Sequence, residues 1–161
     1  MLFRSNAGRE RFKGAEFEAT FTLATDLRAT ATWAYHDARF TDYARLRPGG
    51  AIQQLSGKRL ELSPKNLAAL GLVYAPERGP LASVVWNRTG SRFLNKGNTA
   101  VAAAYDMVDA GVGYAFDRWS IRFDGTNLTD RRDPAAESEI GDAQFYRLPG
   151  RMLLLTVTRR L

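Results

Sequence analysis

Along the last third of the chain, apolar and polar residues alternate one by one. From Tyr105 to Phe116 the apolar set is Val108, Ala110, Val112, Tyr114 and Phe116, set against Asp109, Gly111 and Gly113. In Trp119-Ser120-Ile121-Arg122-Phe123-Asp124 every odd residue is bulky and apolar, and Arg151 to Leu161 carries the same alternation. A period of two places alternate side chains on opposite faces of a β-strand, so one face of each segment meets an apolar phase and the other meets water.

The pattern predicts about seven strands, near Phe12 to Leu23, Leu27 to Phe40, Asn66 to Tyr74, Leu81 to Phe93, Tyr105 to Phe116, Trp119 to Leu128 and Arg151 to Leu161. A soluble sandwich would also alternate, so the connections decide. Ala24-Thr25-Asp26, Glu77-Arg78-Gly79-Pro80 and Asp117-Arg118 are short turns, whereas Thr41 to Ser63, Leu94 to Ala104 and Thr129 to Pro149 are long and polar. Short turns at one end and long loops at the other predict an all-β fold, an antiparallel transmembrane β-barrel segment. Most segments reach the roughly 9 to 11 residues that a tilted strand needs to cross the hydrocarbon layer.

The same alternation assigns faces. Phe17, Phe21, Leu23, Leu27, Trp33, Tyr35, Leu70, Leu72, Tyr74, Val84, Trp86, Ile121, Phe123, Leu153, Leu155 and Val157 are expected to meet lipid, with Trp33, Tyr35, Trp86 and Trp119 available for the aromatic girdles. Glu16, Glu18, Thr20, Thr22, Arg28, Thr30, Thr32, His36, Asp109, Arg122 and Asp124 are expected to line the lumen. An Arg or Lys on the lipid side at mid-depth costs about 2 to 4 kcal/mol, which explains why that face is nearly free of charge.

Composition narrows the reading further. With Cys 0, there is no disulfide framework and no thiolate metal site. No apolar run reaches the roughly eighteen residues of a membrane helix. The formal charge of +6 raises nucleic acid as a partner. The basic residues are scattered, however, over loops (Arg45, Arg47, Lys58, Arg59, Arg131, Arg132) and polar strand faces (Arg28, Arg122), with no recognition helix or stacking platform, so nucleic-acid binding is not expected. That scatter suits a lumen lining and contacts with anionic headgroups. His36 and Asp37 are neighbours on one strand and point to opposite faces, which argues against a catalytic pair. Arg47-Pro48-Gly49-Gly50 lacks the strand-to-helix setting of a phosphate-cradling loop and reads as a loop tip. No catalytic residue, metal site or cofactor is expected.

Several ordered segments carry a family resemblance. Val108-Asp109-Ala110-Gly111-Val112-Gly113-Tyr114, Arg118-Trp119-Ser120, Asn127-Leu128-Thr129-Asp130-Arg131-Arg132 and Leu148-Pro149-Gly150-Arg151 resemble, in that order and spacing, the closing strands of TonB-dependent outer-membrane receptors. Upstream, Asn6-Ala7-Gly8, Lys13 to Ala19, Trp33 to Asp42, Pro64 to Tyr74 and Gly90 to Phe93 are similar to earlier strands of the same family, so the resemblance covers nearly the whole chain. It implies a receptor for energised uptake of an iron-siderophore or similar scarce ligand, located in the cell outer membrane with a periplasmic C-terminus, and no enzyme activity. Outer-membrane lipid, the plug domain, the remaining barrel strands and, indirectly, the TonB complex are the implied partners.

A plugged barrel of this kind needs about 22 strands, so residues 1–161 are expected to be a C-terminal barrel segment with the plug and N-terminal strands absent, inactive alone. The first residues, Met1 to Gly8, show no apolar export signal. At the other end, Leu161 and Arg159 stand where the family usually has aromatic residues. Ligand contacts are expected in the long loops, at Tyr43, Arg45, Arg47, Gln53, Arg59, Arg92, Gln144 and Tyr146, with Gln54, Lys58, Asn95, Lys96 and Phe145 beside them, because aromatic and basic loops suit anionic, aromatic iron chelates. Plug or lumen contacts are expected at Glu16, Glu18, Arg28, Arg122 and Asp124. The alternative reading is a small stand-alone structural or porin-like barrel, which would have to protect its two open edges.

Overall fold

A computed structural model describes residues 8–46, 49–137 and 144–159; Arg47 and Leu161 lie outside the described residues. The described residues form strands β1 (Arg9–Ala24), β2 (Leu27–Asp42), β3 (Ala44–Leu46), β4 (Ile52–Gln54), β5 (Asn66–Tyr74), β6 (Gly79–Thr89), β7 (Arg92–Phe93), β8 (Val101–Ala102), β9 (Tyr105–Ala115), β10 (Trp119–Thr126), β11 (Pro134–Glu137), β12 (Phe145–Arg147) and β13 (Met152–Arg159). Seven of them make one antiparallel sheet in the order β1-β2-β5-β6-β9-β10-β13, so every neighbour in the sheet is also the next long strand in sequence.

The long strands match the alternating segments, with β1 starting earlier at Arg9, β6 earlier at Gly79 and β2 running on to Asp42, and with two early ends that have local causes. The fourth strand stops at Thr89 rather than Phe93: Gly90 turns its N–H to the Asn66 carbonyl, and Arg92–Phe93 leaves to pair with Val101–Ala102. The sixth stops at Thr126 because Asn127 takes a left-handed backbone, φ 50°, a conformation that Asn tolerates and strands do not.

Cross-strand pairs share a face in an antiparallel sheet. One face carries the rows Phe17–Trp33–Ala68–Arg88–Asp106, Ala19–Ala31–Leu70–Trp86–Val108, Phe21–Ala29–Leu72–Val84–Ala110 and Val112–Phe123–Leu155. The other carries Glu18–Thr32–Ala69–Asn87–Met107, Thr20–Thr30–Gly71–Val85–Asp109 and Gly111–Asp124–Leu154. Among the described residues nothing packs on the apolar face: Phe17 is 56% exposed, Leu70 54%, Phe123 47% and Leu155 63%. Exposed apolar surface on this scale marks a partner phase rather than a soluble fold. No helix of the described residues is long and apolar enough to cross a membrane.

The two ends of the sheet differ. At one end, short turns join β1 to β2, β5 to β6 and β9 to β10; in the last of these the Phe116 N–H reaches the Trp119 carbonyl at 2.7 Å. At the other end, each long loop holds a small hairpin: β3–β4, β7–β8 and β11–β12. The β1–β2 ribbon overshoots its neighbours, because β2 pairs with β5 only as far as Tyr35. Above that level its edge is covered by the first long loop, with Phe40 N–H to Lys58 O at 3.0 Å, Gly57 N–H to Phe40 O at 2.8 Å and Leu60 N–H to Ala38 O at 3.0 Å. Most of the buried side chains of the described residues lie at this loop end of the sheet: Ala38, Phe40, Leu55, Leu94, Ala102, Tyr105 and Arg92.

Candidate functional site

Two regions collect the polar chemistry: the polar sheet face and the cap formed by the three long loops. On the polar face, Arg122 lies flat along the sheet. Its Nε donates to Asp124 Oδ1 at 2.7 Å and Nη2 donates to Ser83 Oγ at 2.6 Å, tying β10 to β6 across β9. The crossing is possible because Gly111 and Gly113 stand between: a Cβ at Gly111 would collide with Asp124 Oδ1 and Arg122 Nη2. Nearby, Asp109 accepts the Asn127 N–H at 2.7 Å and the Asn87 amide at 3.4 Å. Glu16 approaches His36 Nε2 at 3.9 Å, while Asp37 pairs on the opposite face with Arg39 at 3.0 Å. Glu18 and Arg28 are exposed on the polar face, and their side chains make no hydrogen bond or ion pair among the described residues.

In the cap, both residues of β7 take part in an arginine–ring contact. Arg59 sits over the Phe93 ring at 5.5 Å and Arg92 over the Tyr105 ring at 5.4 Å. Arg59 is fixed further by Asn98, whose side-chain Oδ1 accepts the Arg59 N–H at 2.8 Å while its Nδ2 donates to Arg59 O at 2.8 Å. This mimics a strand pairing with one amide side chain, from a residue at φ 55°. Arg92 is 5% exposed and donates through Nη2 to Pro134 O at 2.8 Å, which joins the second long loop to the third. Both are therefore held inside the cap, and each keeps one buried nitrogen, Arg59 Nε and Arg92 Nη1, without a hydrogen-bond partner.

The other loop residues are more superficial. Tyr43 stacks on Phe40 with centroids 4.9 Å apart. Arg45 Nε donates to Gln53 Oε1 at 2.9 Å across the β3–β4 hairpin. Gln54 Oε1 accepts the Leu55 N–H at 3.1 Å, and Lys58 lends its backbone to the ladder along β2. Asn95 bonds Thr99 at 2.9 Å, and Lys96 lies 3.7 Å from Glu61. Gln144, Phe145 and Tyr146 are exposed on β12 and its approach, Tyr146 at 63%. Among the described residues no group of His, Asp and Glu could hold a metal ion.

The third loop is closed at its base by Asn127, whose Nδ2 donates to both Arg131 O and Pro149 O at 2.8 Å while Oδ1 accepts the Arg131 N–H at 2.9 Å. Beside it, the Arg151 backbone N–H donates to Asp130 and, with the Arg132 guanidinium, holds that carboxyl below the usual range despite some desolvation. Arg131 is raised by its paired hydrogen bonds to Asp133. Ser83 and Asn98 were not expected from the alternation. Asn98 does lie in an Asn-Lys-Gly-Asn-Thr stretch of turn-forming residues that signals such local side-chain bonding.

A one-layer antiparallel sheet with a bare apolar face, a charged opposite face, short turns at one end and capped loops at the other is the wall of a membrane β-barrel. The family described as TonB dependent receptor-like, beta-barrel, matches residues 2–128, and the chain belongs to it. No curated protein matches the chain. Among solved structures, the siderophore receptor PiuA of Acinetobacter baumannii shares 19% identity at a TM-score of 0.80, over 93% of this chain and 22% of its own. The ferric yersiniabactin uptake receptor FyuA of Yersinia pestis shares 21% at 0.80, over 96% and 24%. The ferric-catecholate import receptor Fiu of E. coli K12 in its closed form shares 18% at 0.75, over 94% and 21%. The chain thus spans about a fifth to a quarter of the length of these structures, and at such identities they establish the fold alone.

Proposed function

We propose that this chain is the C-terminal part of the barrel wall of an outer-membrane TonB-dependent receptor for energised uptake of an iron-siderophore or similar scarce, anionic ligand. The observation that carries the reading is the seven-stranded sheet with its loops: more than nine-tenths of the chain superposes on siderophore receptors while covering only 22% to 24% of theirs. The plug domain and the remaining strands pair with this segment, the TonB complex acts on the plug side, and β13 descends to a periplasmic C-terminus because the short turns face the periplasm. Arg45, Gln53 and Tyr146 on the loop hairpins contact the ligand, whereas the cap-bound Arg59 and Arg92 set the shape of the loops that present them. Glu18 and Arg28, uncommitted on the lumen side, meet the plug.

The segment alone is inactive in uptake, since a pore needs a closed wall and a plug. Vesicles reconstituted with residues 1–161 should take up no ligand, and an immunoblot of the native outer-membrane fraction against residues 129–137 tests the receptor reading. A band several times heavier than 17.9 kDa supports a receptor tail. A folded, heat-modifiable band at 17.9 kDa overturns it in favour of a small independent barrel.

A further inference from the structure

At the short-turn end, the turns 75–78 and 116–118 lie side by side, because Gly79 pairs with Ala115. Between them is an open depression of ≈ 550 Å³ lined by Arg78, Tyr114, Phe116, Asp117, Arg118 and Trp119. Its aromatic members project from the lipid-facing side of the sheet: Tyr114 opposes Ile121, and Trp119 opposes Arg159. All three rings are about half exposed, at 48%, 50% and 47%. Tyr114 and Phe116 stack at 4.7 Å.

The charges around the rings have distinct roles. Arg78 Nη1 pairs with Asp117 Oδ1 at 3.0 Å and so locks one turn to the other. Arg159 is held over the Trp119 ring at 5.4 Å. Glu77 and Asp117 are the acidic residues of the two turns, against Arg78, Arg118 and Arg159. Arg118 is exposed and makes no hydrogen bond or ion pair among the described residues. An unengaged guanidinium beside three rings at the edge of an apolar belt matches one chemistry: a phosphodiester that continues into acyl chains. The planar fork of Arg suits two phosphate oxygens, and aromatic rings favour the headgroup boundary.

We propose that this shelf binds the headgroup of an anionic phospholipid in the leaflet that the short turns face, with Arg118 as the phosphate contact and Tyr114, Phe116 and Trp119 as the bed for the glycerol and upper acyl region. A free phosphate would find one cation not already engaged, Arg118, and that one is exposed and screened; the acyl chains supply the rest of the binding. The inference rests on the barrel-wall reading, because only that reading puts the aromatic face in lipid.

The test is native mass spectrometry of the receptor that carries these residues, released from detergent with phosphatidylglycerol, with phosphatidylcholine, or with phosphatidylglycerol plus millimolar inorganic phosphate. Wild type is expected to retain phosphatidylglycerol preferentially and to ignore inorganic phosphate. Arg118→Gln should weaken that retention about five-fold, the effect of one interfacial cation, and Arg118→Lys should keep part of it. Arg88→Gln, at the opposite rim of the same face, should leave it unchanged. Equal retention of both lipids, an Arg118→Gln protein that behaves as wild type, or displacement by inorganic phosphate each overturns the proposal. Heat-modifiable migration of the same samples separates the two ideas: wild type that is not folded as a barrel removes both, and a folded receptor without lipid preference removes this one alone.

Discussion

Asn127 stands where β10 ends and the third long loop begins, and its side chain does what no backbone group there can. It donates to both ends of the loop, at Arg131 O and Pro149 O, and accepts from Arg131 N–H, while its own N–H is taken by Asp109. Its left-handed φ of 50° adds a second reason for Asn. Asn127→Ala leaves two half-buried or exposed carbonyls without their side-chain donor and strains the backbone, so a loss of about 1 to 2 kcal/mol is expected. Limited proteolysis of the receptor should show faster cutting within residues 129–137, with little change elsewhere. Gly111 makes a complementary case. Any side chain there meets the Arg122–Asp124 pair, so Gly111→Ala should cost about 1 to 3 kcal/mol as an overpacking change, read in urea unfolding of the lipid-reconstituted receptor. Asp130 supplies a pH dependence of known sign. Its folded-state carboxyl titrates below the unfolded one, so its contribution is present above the ordinary Asp range and fades as pH falls through the folded value. Hydrogen exchange at the Arg151 N–H, corrected for intrinsic rate, should stay protected from neutral pH down to the ordinary carboxylate range and lose protection only below it.

At the scale of a strand, the observed register makes a sharp prediction out of a one-residue step. Thr30 and Ala31 are neighbours on β2, yet Thr30 opposes Gly71 on the polar face and Ala31 opposes Leu70 on the apolar one. Ala31→Arg should destabilise the reconstituted receptor by about 2 to 4 kcal/mol, whereas Thr30→Arg should be near neutral. Equal costs would mean the faces are not those of a lipid-bounded wall. This alternation was legible in the sequence because each long strand has enough residues for a period of two to repeat several times. The loop hairpins were not, since β7 and β8 have 2 residues each and β3 and β4 have 3, too few for any period. The same limit explains Arg59 and Arg92. Their type and place in long loops suggested ligand contact; the seat of Arg59 over Phe93 depends on the first and second loops meeting, 34 positions apart, and that of Arg92 over Tyr105 on the second loop returning 13 positions later, which no local pattern records.

For the molecule as a whole, sheet order and turn lengths fix which residues share an end, and the family membership places that sheet in an outer-membrane barrel. Which end of the sheet faces outward decides whether the loop residues meet a ligand and which leaflet holds the Arg118 shelf. The glycines at 49 and 50 offer the means: both are exposed, both have positive φ, and a Cβ at either would meet nothing within 4 Å. A protease site inserted between them adds length at a loop tip, where the entropic cost of insertion is small. A second site inserted between Asp117 and Arg118 marks the short-turn end. With the long loops outside, protease added to intact cells should cut the receptor at the 49–50 site, and the 117–118 site should be cut only after the outer membrane is permeabilised. The reverse pattern would turn the wall over. It would carry Tyr146 and the Arg45–Gln53 pair to the periplasm, where they could not meet an incoming ligand, and would move the Arg118 shelf into the outer leaflet.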